Sequence, residues 1–271
     1  MSTPSSAVPA GPGPLSAMLL AAGRGERMRP LTDTTPKPLL NVHGRALLDW
    51  HIAALQRDGV NALIVNTAWL GDQIPQHLDA YWPALADAGR LRYSHEGRDF
   101  GHALETAGGI ARALPMLGEA FWLAAGDVFA PDFVFDAGRA RAFAASDDLA
   151  HLWLVPNPQH NPGGDFAFEE SAPASGTGRP LNVGKDQPSA FPRYTYSTIA
   201  LLKAGLFRAP WCDIAPGNPD GVAEPLVALL RRAMDAGRVG ASLYEGRWTD
   251  VGTPQRLAQL NAEWMVPLSR C

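Results

Sequence analysis

The chain has 271 residues, 46% of them hydrophobic and 18% charged, with a formal net charge of −4, a balance that suits one large globular domain and excludes a disordered polyelectrolyte. Its 23 Lys and Arg against 27 Asp and Glu exclude a broad electrostatic surface for nucleic acid. Gly 27 and Pro 24 run high, but without a Gly-X-Y period they belong to loops and turns, not to a fibre.

Residues 1–16, MSTPSSAVPAGPGPLS, have neither a basic start nor an apolar stretch and read as a disordered lead-in, not a secretion signal. Ala17 to Ala22 is a short continuous apolar run ending at Gly23, the pattern of a strand buried on both faces that feeds a glycine loop. Leu47 to Asp58 carries apolar residues at helical spacing, including His51 as a packing residue, and Gly59 follows as a C-cap. Ala62 to Val65 is a second strand, Gly71 to Tyr81 a weaker helix, and Leu91 to Tyr93 a third strand. Glu105 to Leu114 can form a helix, after which Phe121 to Ala125 is an apolar strand ending at Gly126-Asp127.

Strand and helix alternate over the first 145 residues, which predicts a mostly parallel sheet covered on both faces. The second half is less regular. Leu152 to Val155, Asp165 to Phe168 and Tyr194 to Leu202 read as strands, with a long loop expected from Ser171 to Pro192. Ala223 to Ala236 is the clearest late helix, Val239 to Tyr244 a strand, and Thr253-Pro254 opens a final helix with an N-cap and a proline at N1. No internal repeat is present, and no apolar run approaches the roughly 20 residues that cross a bilayer. Two widely separated cysteines, Cys212 and Cys271, offer neither a disulfide framework nor a thiolate metal site, so a cytoplasmic protein is expected.

The densest chemical signal is Gly23-Arg24-Gly25-Glu26-Arg27-Met28-Arg29-Pro30-Leu31-Thr32, followed by Pro36-Lys37-Pro38-Leu39. A glycine loop directly after a buried strand lets backbone N–H groups approach phosphate oxygens, and Arg27 and Lys37 add positive charge. Met28 stands where a dinucleotide fingerprint needs glycine, and no Gly-Lys-Ser/Thr is present, so neither a Rossmann oxidoreductase nor a P-loop fits. Lys37 is one of three lysines among the 23 basic residues, and an ammonium is not interchangeable with a guanidinium at a phosphate. Asp127 and Asp250 each follow a strand, where parallel sheets bind ligands, and two such carboxylates can share one Mg²⁺. Taken singly, each is more often a turn or cap residue. The scattered histidines offer no zinc-ligand spacing.

Together, G-x-G-x-R-M-x-P-L-T and P-K-P-L resemble the signature of the sugar-1-phosphate nucleotidyltransferases, a likeness that extends over about 17–263. It implies a Rossmann-like α/β fold, a mostly parallel mixed sheet flanked by helices, with a nucleotide-binding half at about 17–145 and a smaller sugar-binding half at about 146–271. It further implies that Gly23, Gly25 and Glu26 wrap a nucleoside triphosphate, that Arg27 and Lys37 offset phosphate charge, and that Asp127 and Asp250, in G-D and W-x-D-x-G-T, hold Mg²⁺. Leu104 to Gly109 resembles the family's L-G-T-A-G base loop, with Glu105 in place of glycine and Thr106 after it.

That L-E-T form and Asn66-Thr67-Ala68-Trp69-Leu70-Gly71 are similar to the branch that uridylylates N-acetylmuramic acid 1-phosphate in cell-wall recycling, and also to bacterial mannose-1-phosphate guanylyltransferases. Many members of the first branch carry asparagine before G-D, where this chain has Ala125. Gly164 in Gly163-Gly164-Asp165-Phe166 matches a segment that touches the sugar, with a hairpin turn as the other reading, and Ser197 is a candidate acceptor contact or a solvent-facing strand residue. The implied partners are a nucleoside triphosphate and a sugar 1-phosphate, without nucleic acid or membrane. A monomer or small homo-oligomer is expected, because no β-helical repeat is present.

Overall fold

The computed structural model describes residues 15–184 and 187–263. The expected lead-in lies outside them except for its last two residues, and Ser16 already opens the first strand. In chain order the elements are β1 (Ser16–Ala21), β2 (Asn41–Val42), β3 (Arg45–Ala46), α1 (Leu47–Arg57), β4 (Ala62–Thr67), α2 (Gln73–Tyr81), α3 (Pro83–Asp87), β5 (Leu91–His95), α4 (Glu96–Phe100) and α5 (Glu105–Ala113). There follow β6 (Ala120–Ala125), β7 (Val128–Phe129), α6 (Ala137–Ala145), β8 (Ala150–Val155), β9 (Phe166–Glu170), β10 (Thr177–Leu181), β11 (Arg193–Lys203), α7 (Leu226–Asp235), β12 (Val239–Leu243), β13 (Thr249–Asp250) and α8 (Pro254–Glu263).

Nine strands form one mixed sheet in the order β5-β4-β1-β6-β11-β8-β12-β10-β9. Within it β11 and β10 run against the others, so the sheet is mostly parallel, as expected. β1 lies between β4 and β6, and its side chains alternate between two cores. Ala17, Leu19 and Ala21 meet Leu48, Ile52 and Leu55 of α1 on one face, whereas Met18 meets Ile110 of α5 and Leu226 and Leu230 of α7 on the other. Burial on both faces is why the strand reads as an unbroken apolar run. A third, smaller core joins Met28, Leu47, Phe129, Val251, Leu257 and Leu260, and thereby packs α8 beneath the loop that follows β1.

The expected long loop at 171–192 is corrected by β10, which runs through its middle. Thr177-Gly178-Arg179-Pro180-Leu181 has poor strand propensity, but each offending residue has a place. Gly178 is required because a Cβ there would lie 2.0 Å from the Glu169 carbonyl oxygen on β9. Pro180 lies beyond the two-residue pairing of β10 with β12, so its missing N–H leaves no gap in that ladder. The short helices α3 and α4 also escape sequence periodicity. Among the described residues no helix is long and apolar enough to cross a membrane.

His151 on β8 is half-buried beside Ser242, with its Nε2 2.9 Å from the hydroxyl. Burial, aided by Arg139, pushes its imidazolium down from 6.5 to about 4. The unfolded chain therefore takes up a proton between these values before the folded chain does, and stability falls as pH drops through that window. Melting scans from pH 7 to pH 4 should show a steeper fall in Tm for the wild type than for His151→Gln; parallel slopes would remove His151 from the pH response.

Candidate active site

β1, β4 and β6 are in parallel register, with Leu20 opposite both Asn66 and Ala125, so the three loops that follow them emerge side by side. Between those loops, β11 and the start of α7 lies a cleft of about 640 Å³, within the range of small-ligand sites. One side is polar, with Arg24, Lys37, Asn66, Glu105, Thr106 and Asp127, and the other largely apolar, with Leu123, Phe166, Leu226, Val227 and Leu230.

The glycine loop is shaped by its own motif. Gly25 has φ +65°, and a Cβ there would lie 3.0 Å from Thr32 Cγ2 and 3.2 Å from Lys37 Cβ. Fully buried Thr32 holds the loop closed: its hydroxyl donates to the Gly25 carbonyl at 2.8 Å, and its own carbonyl accepts from Trp69 Nε1 at 2.8 Å and Arg24 Nη1 at 3.1 Å. Met28 anchors the next turn in the third core. Arg24 lies 3.4 Å above the Trp69 ring, which fixes a guanidinium at the cleft wall. Sequence reasoning treated Arg24 only as a spacer within the motif. Arg27 and Glu26 are exposed on the outer side of the loop, and neither lines the cleft.

Lys37 is 8% exposed and bonds Asp127 Oδ2 at 2.6 Å, with the carboxylate the more exposed partner. Asp127 follows β6 through Gly126, whose N–H donates to the Leu20 carbonyl at 2.8 Å. His51, buried beneath this turn, donates from Nε2 to the Val128 carbonyl at 2.9 Å, and burial lowers its pKa. It packs on α1 as expected and also props the acidic turn.

β7 and β13 form a two-stranded ribbon in which Val128 faces Asp250, and Val251 N–H donates to the Asp127 carbonyl at 3.0 Å. The ribbon thus places the two aspartates next to each other although 122 residues lie between them in sequence. Arg256 Nη1 meets both Asp250 oxygens at 2.6 Å, and His160 Nε2 lies 2.9 Å from Oδ1. Each carboxylate is therefore charge-balanced, Asp127 by Lys37 of the P-K-P-L motif and Asp250 by Arg256, which no motif revealed. Among the described residues no cluster of three or more His, Cys, Asp or Glu is poised around a metal. Asp127 lines the cleft and Asp250 does not, but two hard carboxylate donors are by their chemistry a suitable set for Mg²⁺.

The remaining candidates divide between cleft and core. Glu105 and Thr106 line the cleft, and Glu105 has φ +57°, the left-handed conformation that explains why glycine is usual there. Ala125 lines it with a methyl group. Gly164 makes a left-handed turn before β9 and is not part of the lining. Ser197 is fully buried, its hydroxyl accepting from Ile199 N–H at 3.2 Å, and neither reaches the cleft nor faces solvent. A β-bulge between Tyr196 and Ala200, with Thr198 at φ +62°, turns Tyr196 and Thr198 to the cleft instead. The Tyr196 hydroxyl is buried without a hydrogen-bond partner, and burial raises its pKa.

Because Glu105 pays a left-handed backbone penalty of roughly 1 kcal/mol, Glu105→Gly is expected to raise the urea midpoint and Glu105→Val to lower it. Equal midpoints for all three chains would show that the loop relaxes without strain.

Residues 17–154 match the MobA-like NTP transferase domain. The chain is 41% identical over 250 residues to N-acetylmuramate alpha-1-phosphate uridylyltransferase of Neisseria meningitidis serogroup B, covering 92% of this chain and 97% of that one. It is 33% identical over 259 residues to the protein of the same name from Caulobacter vibrioides, covering 92% and 96%. Mannose-1-phosphate guanylyltransferase catalytic subunit beta of Dictyostelium discoideum is 33% identical over 45% of this chain and 32% of its own length. In fold, a Bacillus anthracis structure assigned as a glucose-1-phosphate thymidylyltransferase superposes with a TM-score of 0.71 over 94% and 97% of the two chains, at 17% identity. Near-complete coverage by relatives and the glycine-loop cleft lead to one conclusion: the chain belongs to the sugar-1-phosphate nucleotidyltransferases, enzymes with a MobA-like NTP transferase domain.

Proposed function

We propose that the protein transfers a uridylyl group from UTP to N-acetyl-α-muramic acid 1-phosphate, forming UDP-N-acetylmuramic acid and pyrophosphate in the cytoplasm, as a step of peptidoglycan recycling. The observation that carries this reading is the 41% identity to the Neisseria meningitidis uridylyltransferase over almost the whole of both chains. The cleft supports it by joining Arg24 of the glycine loop and the Lys37–Asp127 pair to a less polar wall. On this reading 17–145 serves the nucleotide and 146–271 the sugar.

A phosphate oxygen of the sugar 1-phosphate attacks the α-phosphorus of UTP, a P–O bond forms, and the bond to the β-phosphate breaks with its electron pair leaving on pyrophosphate. The nucleophile is already anionic near neutral pH, so no general base is required. The task is to bring two anions together and neutralise their charge. Gly23 and Gly25 expose backbone at the phosphate loop with Glu26 at its outer turn, Lys37 exchanges part of its contact with Asp127 for a phosphate oxygen, and Arg27 offsets charge from the exposed side. Asp127 and Asp250 would hold Mg²⁺, which when bound supplies positive charge to the phosphates. Glu105 and Thr106 border the base. On the acceptor side, the unpartnered Tyr196 hydroxyl takes the place that sequence reasoning gave to Ser197, beside Ala125 and near the Gly164 turn.

A second reading, transfer of a guanylyl or uridylyl group to mannose or glucose 1-phosphate, is favoured by one feature: Ala125 lines the cleft without the amide that could bond an acceptor. Pyrophosphate release with Mg²⁺, measured over UTP, GTP, CTP, ATP and dTTP against muramic acid, glucosamine, mannose and glucose 1-phosphates, decides between them. Release with UTP and N-acetylmuramic acid 1-phosphate is expected; a preference for GTP and mannose 1-phosphate would overturn the substrate and keep the mechanism. Silence throughout, with sugar-nucleotide binding retained, would identify a non-catalytic binding subunit.

Asp127→Ala and Asp250→Ala should each reduce turnover by at least about a hundredfold with the circular dichroism spectrum unchanged. A near-normal rate at ordinary Mg²⁺ would remove that residue from the metal site. Tyr196→Phe should raise KM for the sugar 1-phosphate and leave KM for the nucleotide unchanged; the reverse split would place Tyr196 on the nucleotide side.

A further inference from the structure

Glu96 opens α4 at the end of β5 and is fully buried in the wall of the cleft, where burial pushes its carboxyl above the usual range. Both of its oxygens are committed. Oε1 accepts from Asn66 Nδ2 at 2.7 Å, and Oε2 accepts from the Leu104 backbone N–H at 2.8 Å. Asn66, at the end of β4, in turn accepts the Ala21 backbone N–H on Oδ1 at 2.8 Å. These three bonds join the last residue of β1, two before Gly23, to the residue preceding Glu105.

The neighbouring helix makes room for this chain of bonds. A Cβ on Gly109 would lie 2.4 Å from Glu96 Oε1 and 3.1 Å from Asn66 Nδ2, so the glycine in α5 is required by the carboxylate behind the cleft. A buried carboxylate is costly unless fully hydrogen-bonded, and here it is held by one amide and one backbone donor.

We propose that Glu96 is a positioning residue that fixes the spacing between the glycine loop and the base loop, acting through Asn66 on Ala21 and directly on Leu104. It touches no phosphate or base itself. It sets nucleotide affinity by holding both loops in their binding geometry before the nucleotide arrives. The inference rests on the nucleotide-transfer reading above.

The bonding pattern supplies its own test. In Glu96→Gln the new amide meets two donors with one acceptor, so one bond is lost whichever way it turns. In Asn66→Asp two carboxylates face each other. In the double variant Asn66→Asp/Glu96→Gln, the carboxylate introduced at position 66 accepts from Ala21 and from the amide introduced at position 96. The carbonyl of that amide accepts from Leu104, so all three bonds return with the middle one reversed. UTP affinity is measured by calorimetry with Mg²⁺, alongside KM for the sugar 1-phosphate and Tm. Each single variant is expected to weaken UTP binding roughly tenfold or more, with the sugar KM within about twofold, and the double variant to recover most of the loss. Unchanged UTP affinity in Glu96→Gln, or a double variant no better than the singles, would overturn the inference. So would a rise in the sugar KM equal to the loss of UTP affinity, which a merely structural role produces. A wild-type chain that binds none of the five nucleoside triphosphates would instead defeat the nucleotide-transfer reading, and this inference with it.

Discussion

The end of β1 is the constraint on which the rest of the site depends. A parallel strand stops where its neighbours stop supplying partners, and at Leu20 and Ala21 those partners come from both sides. The Leu20 carbonyl takes the Gly126 N–H, and the Ala21 N–H goes to the Asn66 side chain. These contacts make the glycine loop, the Asn66 segment and the Gly126-Asp127 turn leave the sheet from one edge. Because β1 is buried on both faces, it cannot slip along its neighbours without exposing Leu19 on one side or Met18 on the other.

Charge at this edge is arranged in alternating pairs. Lys37 faces Asp127, and Arg256 faces Asp250. The carboxylate is the more exposed partner in each pair, with side chains 41% and 27% exposed against 10% and 19% for the cations. The carboxylates therefore lie nearer the surface, whereas Lys37 lies deeper. Removing a partner from so buried an ammonium is costly, which makes Lys37 a fixed element of the cleft. Arg24 is fixed differently, by stacking on Trp69 and by the Thr32 carbonyl. Rigid cations lose little freedom when they meet phosphate, and that favours pre-organised recognition of a polyanion.

Much of the first half was legible because buried parallel strands write continuous apolar runs and end in glycine. The loop motifs were legible for a related reason: Gly25, Met28, Thr32 and Lys37 each have a packing role that tolerates few substitutes. The second half hid its details. β10 contains a proline and a glycine whose tolerance depends on partners distant in sequence, and strand alternation points to Ser197 and misses Tyr196 because a bulge is invisible to it. Glu96 left no readable signal, since its importance lies in contacts with Asn66 and Leu104 that only the folded chain brings together. Arg256 and His160 are the same case beside Asp250.

The two walls of the cleft solve different physical problems. On the side proposed for the nucleotide, charge and rigid backbone predominate, as a triphosphate that must be held against a second anion requires. On the side proposed for the acceptor the wall is largely apolar, and its polar features are a buried hydroxyl without a partner and a threonine held at positive φ. A buried unpaired hydroxyl costs stability in the empty protein, and a strained bulge adds to that cost. The first cost is recovered if an acceptor supplies the missing bond, which makes the apparent weakness at Ala125 less decisive: polar discrimination does not have to come from residue 125 when Tyr196, which also lines the cleft, has a hydroxyl without a partner.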